Sequence, residues 1–270
     1  MKHTMKLWDK SFQAIRQGYK TIELRLNDEK RRQLQIGDVL AFQNTTTKDT
    51  LECVVLDKRI FPSFKELYEV YDKISLGYQE YEMAQYEDMW EYYSKEKIEA
   101  YGALAIHLCK LENITPSLLI DYGICPTCFN KEYHSCLYGD ISNQLLYADD
   151  KLECFFVGNP RSKGHTIIST KTHYKDMLEA PKEIISYVYC LAQKVMVAMK
   201  EVFSCESVYL CTMCDGPMNH FHIQLIPRYK EEQRGSRNFI KERKNYILDE
   251  EKLKKMRKLL EENIDELSGM

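Results

Sequence analysis

Glycine and proline are scarce in this chain, 11 and 7 of 270 residues, and tryptophan occurs only twice. That scarcity excludes collagen-like and low-complexity disordered classes. No apolar run approaches the ~20 residues needed to cross a bilayer. The opening Met1-Lys2-His3-Thr4-Met5-Lys6 has neither the apolar core nor the small-residue cleavage site of a secretory signal. A soluble, cytoplasmic protein with no membrane partner is therefore expected. The net charge of −3 lacks the basic excess of a wholesale nucleic-acid binder, although local basic patches stay open. What is present, 44% apolar and 29% charged residues, is the composition of a folded globular chain. Its length suggests about two domains.

Cysteine is not scarce: there are ten. In a reducing compartment close pairs point to metal rather than disulfide. Cys125-Pro126-Thr127-Cys128 can bring two thiolates to one metal or form a redox pair. Cys211 and Cys214 have the same spacing, but a strand puts residues three apart on opposite faces, which counts against joint chelation. His134 and Cys136 lie close to the first pair and form a rival ligand set. Cys53, Cys109, Cys154 and Cys190 read as small buried hydrophobes.

The stretch Asp215 to Arg228 carries the most chemistry. Asp215-Gly216-Pro217 is a turn signal, after which polar and apolar residues alternate through Ile226 until Pro227 stops the run. Period two is the strand signature, so His220, His222 and Gln224 share one face while Phe221, Ile223 and Leu225 point into a core. Two imidazoles and a carboxamide on one face make a poor core and a good site. Imidazole can act as nucleophile, base or metal ligand, and the amide donates without titrating.

The first hundred residues predict short strands around one helix, as in a small β-barrel. A strand and a helix closed by Gly18 come first, then the alternating strand Lys20 to Leu26 with Ile22, Leu24 and Leu26 inward. Strands follow at Val39 to Phe42, Thr50 to Leu56 and Tyr101 to Leu108, with a tyrosine-rich segment of helical propensity from Ser63 to Tyr101. Gly18, Lys20-Thr21-Ile22-Glu23-Leu24-Arg25, Gly37-Asp38 and Tyr101-Gly102-Ala103-Leu104-Ala105-Ile106-His107 resemble the ASCH domain of the PUA-like superfamily. The resemblance implies a cleft for RNA or a nucleoside, with Lys20, Glu23 and Arg25 on its wall. One branch of such domains is an amidohydrolase using Lys, Thr and Glu, but Glu23 stands at the position of that Thr, so this activity is not carried over. A surface ion-pair ladder is the competing reading of Lys20, Glu23 and Arg25.

Residues 113–122 read as a linker. Beyond them a hairpin is expected around Asp149-Asp150, then a loop from Gly158 to Gly164, a strand from His165 to Ser169, and a long amphipathic helix from Glu183 to Glu201. Residues 228–244 are rich in Arg and Lys, either as a solvated loop or as a phosphate holder. Residues 247–270 read as a terminal packing helix.

Gly164-His165-Thr166-Ile167-Ile168, Lys171-Thr172-His173 and His220-Phe221-His222-Ile223-Gln224-Leu225-Ile226-Pro227-Arg228, with the first Cys pair, resemble the histidine triad (HIT) superfamily of nucleotidyl hydrolases and transferases. The resemblance implies an α+β fold: a PUA-like barrel over 1–112, then over 123–246 a HIT-type antiparallel sheet with a long packing helix. It implies a nucleotide or dinucleoside polyphosphate substrate attacked at the α-phosphorus by His222, with Gln224 and His220 beside it. Asn159 matches a ribose contact, and Asn219, His165 and Arg228 join the nucleotide site. Gln224 stands where most hydrolases of the superfamily have His. That pattern is similar to galactose-1-phosphate uridylyltransferase and leaves hydrolysis and transfer both open. Relatives hold zinc with residues matching Cys125, Cys128, His173 and His220, and many form homodimers. A non-catalytic RNA- or nucleotide-binding protein is the alternative function.

Overall fold

The computed structural model describes residues 1–133, 137–138, 142–213, 216–235, 237–244 and 249–264. His134, Cys136, Cys214 and Asp215 lie outside them. The chain divides into two compact units, residues 1–129 and 130–270, and the division falls inside one helix.

The first unit begins with β1 (Lys2–Leu7) and α1 (Asp9–Gln17), which Gly18 ends in the left-handed region at φ 93°. β2 (Ile22–Leu26), α2 (Glu29–Arg32), β3 (Val39–Asn44) and β4 (Thr50–Phe61) follow. α3 (Phe64–Val70) and α4 (Lys95–Tyr101) then lead to β5 (Ala103–Lys110). The sheet order is β1-β3-β4-β5-β2, with β1 parallel to β3 and the other pairs antiparallel. No ladder joins β1 to β2 among the described residues. Instead the Arg25 guanidinium donates to the Lys6 carbonyl across that opening, 3.0 Å.

Ser63 to Tyr101 is not one helical run. Helix α3 stops at Tyr71, which is extended (φ −107°, ψ 142°), and only a 3-10 turn (Tyr86–Glu91) and α4 are helical after it. The side chains explain the break. Tyr68, Tyr71, Tyr78, Tyr86 and Tyr93 pack around Phe61, Phe64 and Leu67, and Lys73 caps the carbonyls of Glu80 and Glu82. Packing of large rings overrides helix propensity over a segment this short. Residues 113–122 likewise hold a helix, α5 (Pro116–Asp121), which Thr115 caps.

Helix α6 (Pro126–Tyr133) enters the second unit, where its Lys131 pairs with Glu153 and donates to the Thr170 carbonyl. β6 (Leu145–Ala148) and β7 (Leu152–Phe156) form the expected hairpin, closed by Asp149, whose carboxylate accepts from the Lys151 and Leu152 amides. β8 (Thr166–Thr170), α7 (Lys182–Phe203), β9 (Ser207–Cys211), β10 (His222–Arg228) and α8 (Glu250–Ile264) complete it. The sheet order is β6-β7-β8-β10-β9, antiparallel throughout. Val188, Leu191, Val195 and Met199 of α7 and Leu253, Met256 and Leu260 of α8 share a core with Phe221, Ile223 and Leu225. The alternation in the sequence therefore marks which side chains join this core, although Gln224 on the other face is buried too. Pro227 does not stop it. The β8 ladder ends at Leu225, so the missing N–H of Pro227 removes no bond on that side, and β9 pairs on through Arg228.

Candidate functional site

On β10, His222 lies opposite Ser169 of β8, and Gln224 opposite Ile167 of β8 and Cys211 of β9. With Ile223 and Leu225 fully buried on the core side, His222 and Gln224 project from the other face. The His222 Nδ1 is 2.8 Å from the His220 carbonyl oxygen. A carbonyl only accepts, so Nδ1 carries the ring proton and Nε2 keeps its lone pair. Burial holds the His222 pKa below the ordinary imidazole value, with the His220 and Arg243 charges adding to that and the bond to the His220 backbone opposing it. Thr212 Oγ1 donates to the His222 carbonyl, 2.9 Å, which fixes the strand at this residue.

His165 stands at the start of β8 and is 1% exposed. Its Nδ1 accepts from the Arg161 amide, 3.2 Å, which assigns the proton to Nε2. Burial pushes its pKa down to about 3, the nearby Arg243 charge adds to this, and the Gln224 carboxamide offsets part of it. The ring is neutral at pH 7. His165 Nε2 and Gln224 Oε1, one donor and one acceptor, are both buried; the two side chains interact but fall short of full hydrogen-bond geometry, and neither atom has another partner among the described residues.

His220 is buried, and its Nε2 donates to the Thr170 carbonyl, 2.7 Å, which turns Nδ1 to other duty. Cys125, Cys128, His173 and His220 bring one ligand atom each to within 4.8 Å of one another. The His173 and His220 rings meet edge to face with centroids 5.3 Å apart. Two sulfurs and two imidazoles so close suit a tetrahedral metal with bonds of about 2.0–2.3 Å, and the Thr170 carbonyl acts as the outer partner that orients one imidazole. The rival ligands His134 and Cys136 lie outside the described residues.

The remaining expected residues do not all join this group. Asn159 is exposed, and its carbonyl accepts from Arg243. The Asn219 amide donates to the Gly216 carbonyl, 2.9 Å, and so closes its own loop. Arg228 is not at the site. It is buried at the far end of β10, about 20 Å from His222 at ~3.3 Å per residue, and is held by Glu206, Ser207, Tyr229 and Glu232. In its place stand Arg243, from the basic stretch 228–244, and Arg161, which no spacing in the sequence singles out; the charges of both act on His165.

In the first unit, Lys20, Glu23 and Arg25 line a cleft of about 710 Å³ together with Trp8, Tyr78 and Tyr92. Lys20 and Glu23 are buried, which rules out a surface ion-pair ladder. Arg25 sits 2.9 Å and Lys20 3.5 Å from the Glu23 carboxylate, and Lys20 also donates to the Leu76 carbonyl, 2.7 Å. Gly77, at φ 104°, admits the Lys20 stem, since a Cβ there would meet Lys20 Cδ at 2.8 Å. Burial lowers the Lys20 pKa, and Glu23 opposes that shift.

Comparison with known proteins agrees with this two-part architecture. An ASCH domain matches residues 5–112 and a HIT domain residues 139–231. An uncharacterized HIT-like protein of Methanocaldococcus jannaschii is 32% identical over 117 residues, 42% of this chain and 88% of that protein. An adenylylsulfatase of Arabidopsis thaliana is 29% identical over 87 residues, 31% of this chain and 44% of that protein, so less than half of the plant protein is spanned. A Zn-bound histidine triad family protein from Mycobacterium smegmatis is 20% identical, with 53% of this chain and 96% of that one covered and a TM-score of 0.40. Sequence and site together define an ASCH domain followed by a HIT domain. The chain belongs to the HIT-like family.

Proposed function

We propose that the second unit is a nucleotidyl hydrolase or transferase acting at the α-phosphate of a nucleotide. The observation that carries this reading is the His222 Nδ1 hydrogen bond to the His220 carbonyl, 2.8 Å, which leaves Nε2 with its lone pair. Nε2 attacks the α-phosphorus: a P–N bond forms, the P–O bond to the leaving group breaks, and that oxygen takes the electron pair. The nucleotidyl-imidazolium keeps its Nδ1–H on the His220 carbonyl, which stabilises the positive ring. Water or a second acceptor then adds to phosphorus, the P–N electrons return to Nε2, and the acceptor's proton passes to solvent. Gln224 and His165 are the donors for the non-bridging oxygens. The Arabidopsis relative is named an adenylylsulfatase, which supports an adenylyl donor as substrate. Gln224 in place of a third histidine favours transfer to phosphate or sugar phosphate.

The test is incubation with labelled adenylyl donors, among them adenosine 5′-phosphosulfate and diadenosine polyphosphates, with and without inorganic phosphate. An acid-labile nucleotidyl adduct on His222 is expected, and none on His222→Ala. An adduct that persists in the variant overturns the assignment. A second reading, nucleotide binding without turnover, draws on Asn219, whose amide is committed to Gly216. It predicts affinity with no product from any donor.

Cys125, Cys128, His173 and His220 would hold one zinc ion in a closed structural centre, which supplies rigidity rather than reactivity. Well under one zinc per chain in the purified protein removes this assignment. The first-unit cleft of Lys20, Glu23 and Arg25 is assigned to RNA or a nucleoside. Unchanged RNA and nucleoside affinity after Lys20→Ala and Arg25→Ala would refute that role.

A further inference from the structure

The HIT domain match ends at residue 231, yet the chain returns to the site after it. Residues 237–244 form a strap whose root is Asn238, fully buried, donating to the Pro227 carbonyl at 3.0 Å and to Glu232 at 2.8 Å. Lys241 also pairs with Glu232, so that acid is taken up within the strap's own base. From there the strap lies along the loop that precedes His165. Arg161 Nη1 donates to the Lys241 carbonyl (2.5 Å), Arg243 Nη1 to the Asn159 carbonyl (3.2 Å), and the Lys244 amide to the Pro160 carbonyl (3.1 Å). The same loop supplies the Arg161 amide that binds His165 Nδ1.

Two guanidiniums are thus fixed along the loop that leads into His165. Neither has a carboxylate within ion-pair distance among the described residues, and Arg161 Nε is buried without a hydrogen-bond partner. Burial and then the Arg161 charge lower the Arg243 pKa. Two like charges held together by carbonyl contacts, one with a buried unused donor, await an anion.

We infer that Arg161 and Arg243 form a clamp for the leaving group, and that the preferred donors carry a leaving group of two or more phosphates. The inference rests on the reading of His222 as nucleophile. As the α-phosphorus passes to Nε2, the departing bridging oxygen gains a negative charge, and a polyphosphate chain carries several more. Fixed guanidiniums stabilise that charge as it develops. A neutral leaving group draws nothing from the clamp.

The experiment compares a diadenosine polyphosphate with adenosine 5′-phosphoramidate, whose leaving group departs as ammonia, in wild type, Arg243→Gln and Arg243→Lys. Arg243→Gln should lower kcat/KM for the polyphosphate donor about 10- to 100-fold more than for the phosphoramidate, the effect of one lost charge-assisted hydrogen bond. Arg243→Lys should recover part of that ratio. An equal fall for both donors, or no fall for either, overturns the clamp and leaves the His222 reading standing. Turnover that survives His222→Ala overturns the nucleophile instead. Binding of inorganic tripolyphosphate by calorimetry gives a readout independent of turnover. Weaker binding to Arg243→Gln is expected, and unchanged binding refutes the clamp.

Discussion

The two units handle ionisable groups in opposite ways. In the first, Lys20, Glu23 and Arg25 are matched to one another, both basic groups against one buried carboxylate. In the second, burial lowers the pKa of His165 and His222, and Arg161 and Arg243 have no acid partner among the described residues. A matched cluster holds its geometry whether or not a ligand arrives. An unmatched pair beside neutral imidazoles is an electrostatic site that substrate anions complete. The difference is the physical ground on which a recognition role is proposed for the first unit and a reactive one for the second.

The largest break in that contrast is removal of the nucleophile. His222→Ala should lower turnover on the order of 10⁴-fold or more, since groups that act as a unit fail together. Steady-state rates on the preferred adenylyl donor measure this, and a loss under about tenfold would set His222 aside. Folding should change little, because His222 lies off the core face.

Next comes the matched cluster. Glu23→Gln leaves Lys20 and Arg25 without a counter-charge in a buried setting, which costs about 3–5 kcal/mol. Urea denaturation should show the loss in the first unit while second-unit turnover persists. Equal stability of variant and wild type would show that the cluster is solvated and the contrast false.

The last effect, absent at neutral pH, sharpens the neutral side. The His165 pKa is depressed in the folded state to about 3, below its ordinary ~6.5. The unfolded chain therefore binds the extra proton first, and stability falls as pH drops below about 6.5, by up to about 1.4 kcal/mol per pH unit, until the folded value is reached. Above that pH the group contributes no slope. His165→Gln should flatten this acid limb in pH-dependent melting, and an unchanged limb would show that His165 is not buried neutral.

Much of this architecture was legible in local pattern. Alternation from His220 to Ile226 named the strand and both its faces, Gly18 the end of α1, and Asp149 the hairpin turn. Local reading failed where distant contacts overrode it. The segment Ser63–Tyr101 has helical propensity but is broken by tyrosine packing. Pro227 stays in its strand because β8 has already ended. Arg228, adjacent to the motif in sequence, lies at the far end of its strand, where it pairs with Glu206.

By itself, the sequence determined which residue types share a strand face and that Cys125 and Cys128 lie close together, because periodicity and short spacing are properties of the local chain. Only the tertiary structure decided which nitrogen of His222 is left with a lone pair, since that depends on where one carbonyl points. It also decided that Arg243 stands beside Asn159, 84 residues away along the chain. No local rule encodes such a meeting, because packing of the whole unit brings the two loops together.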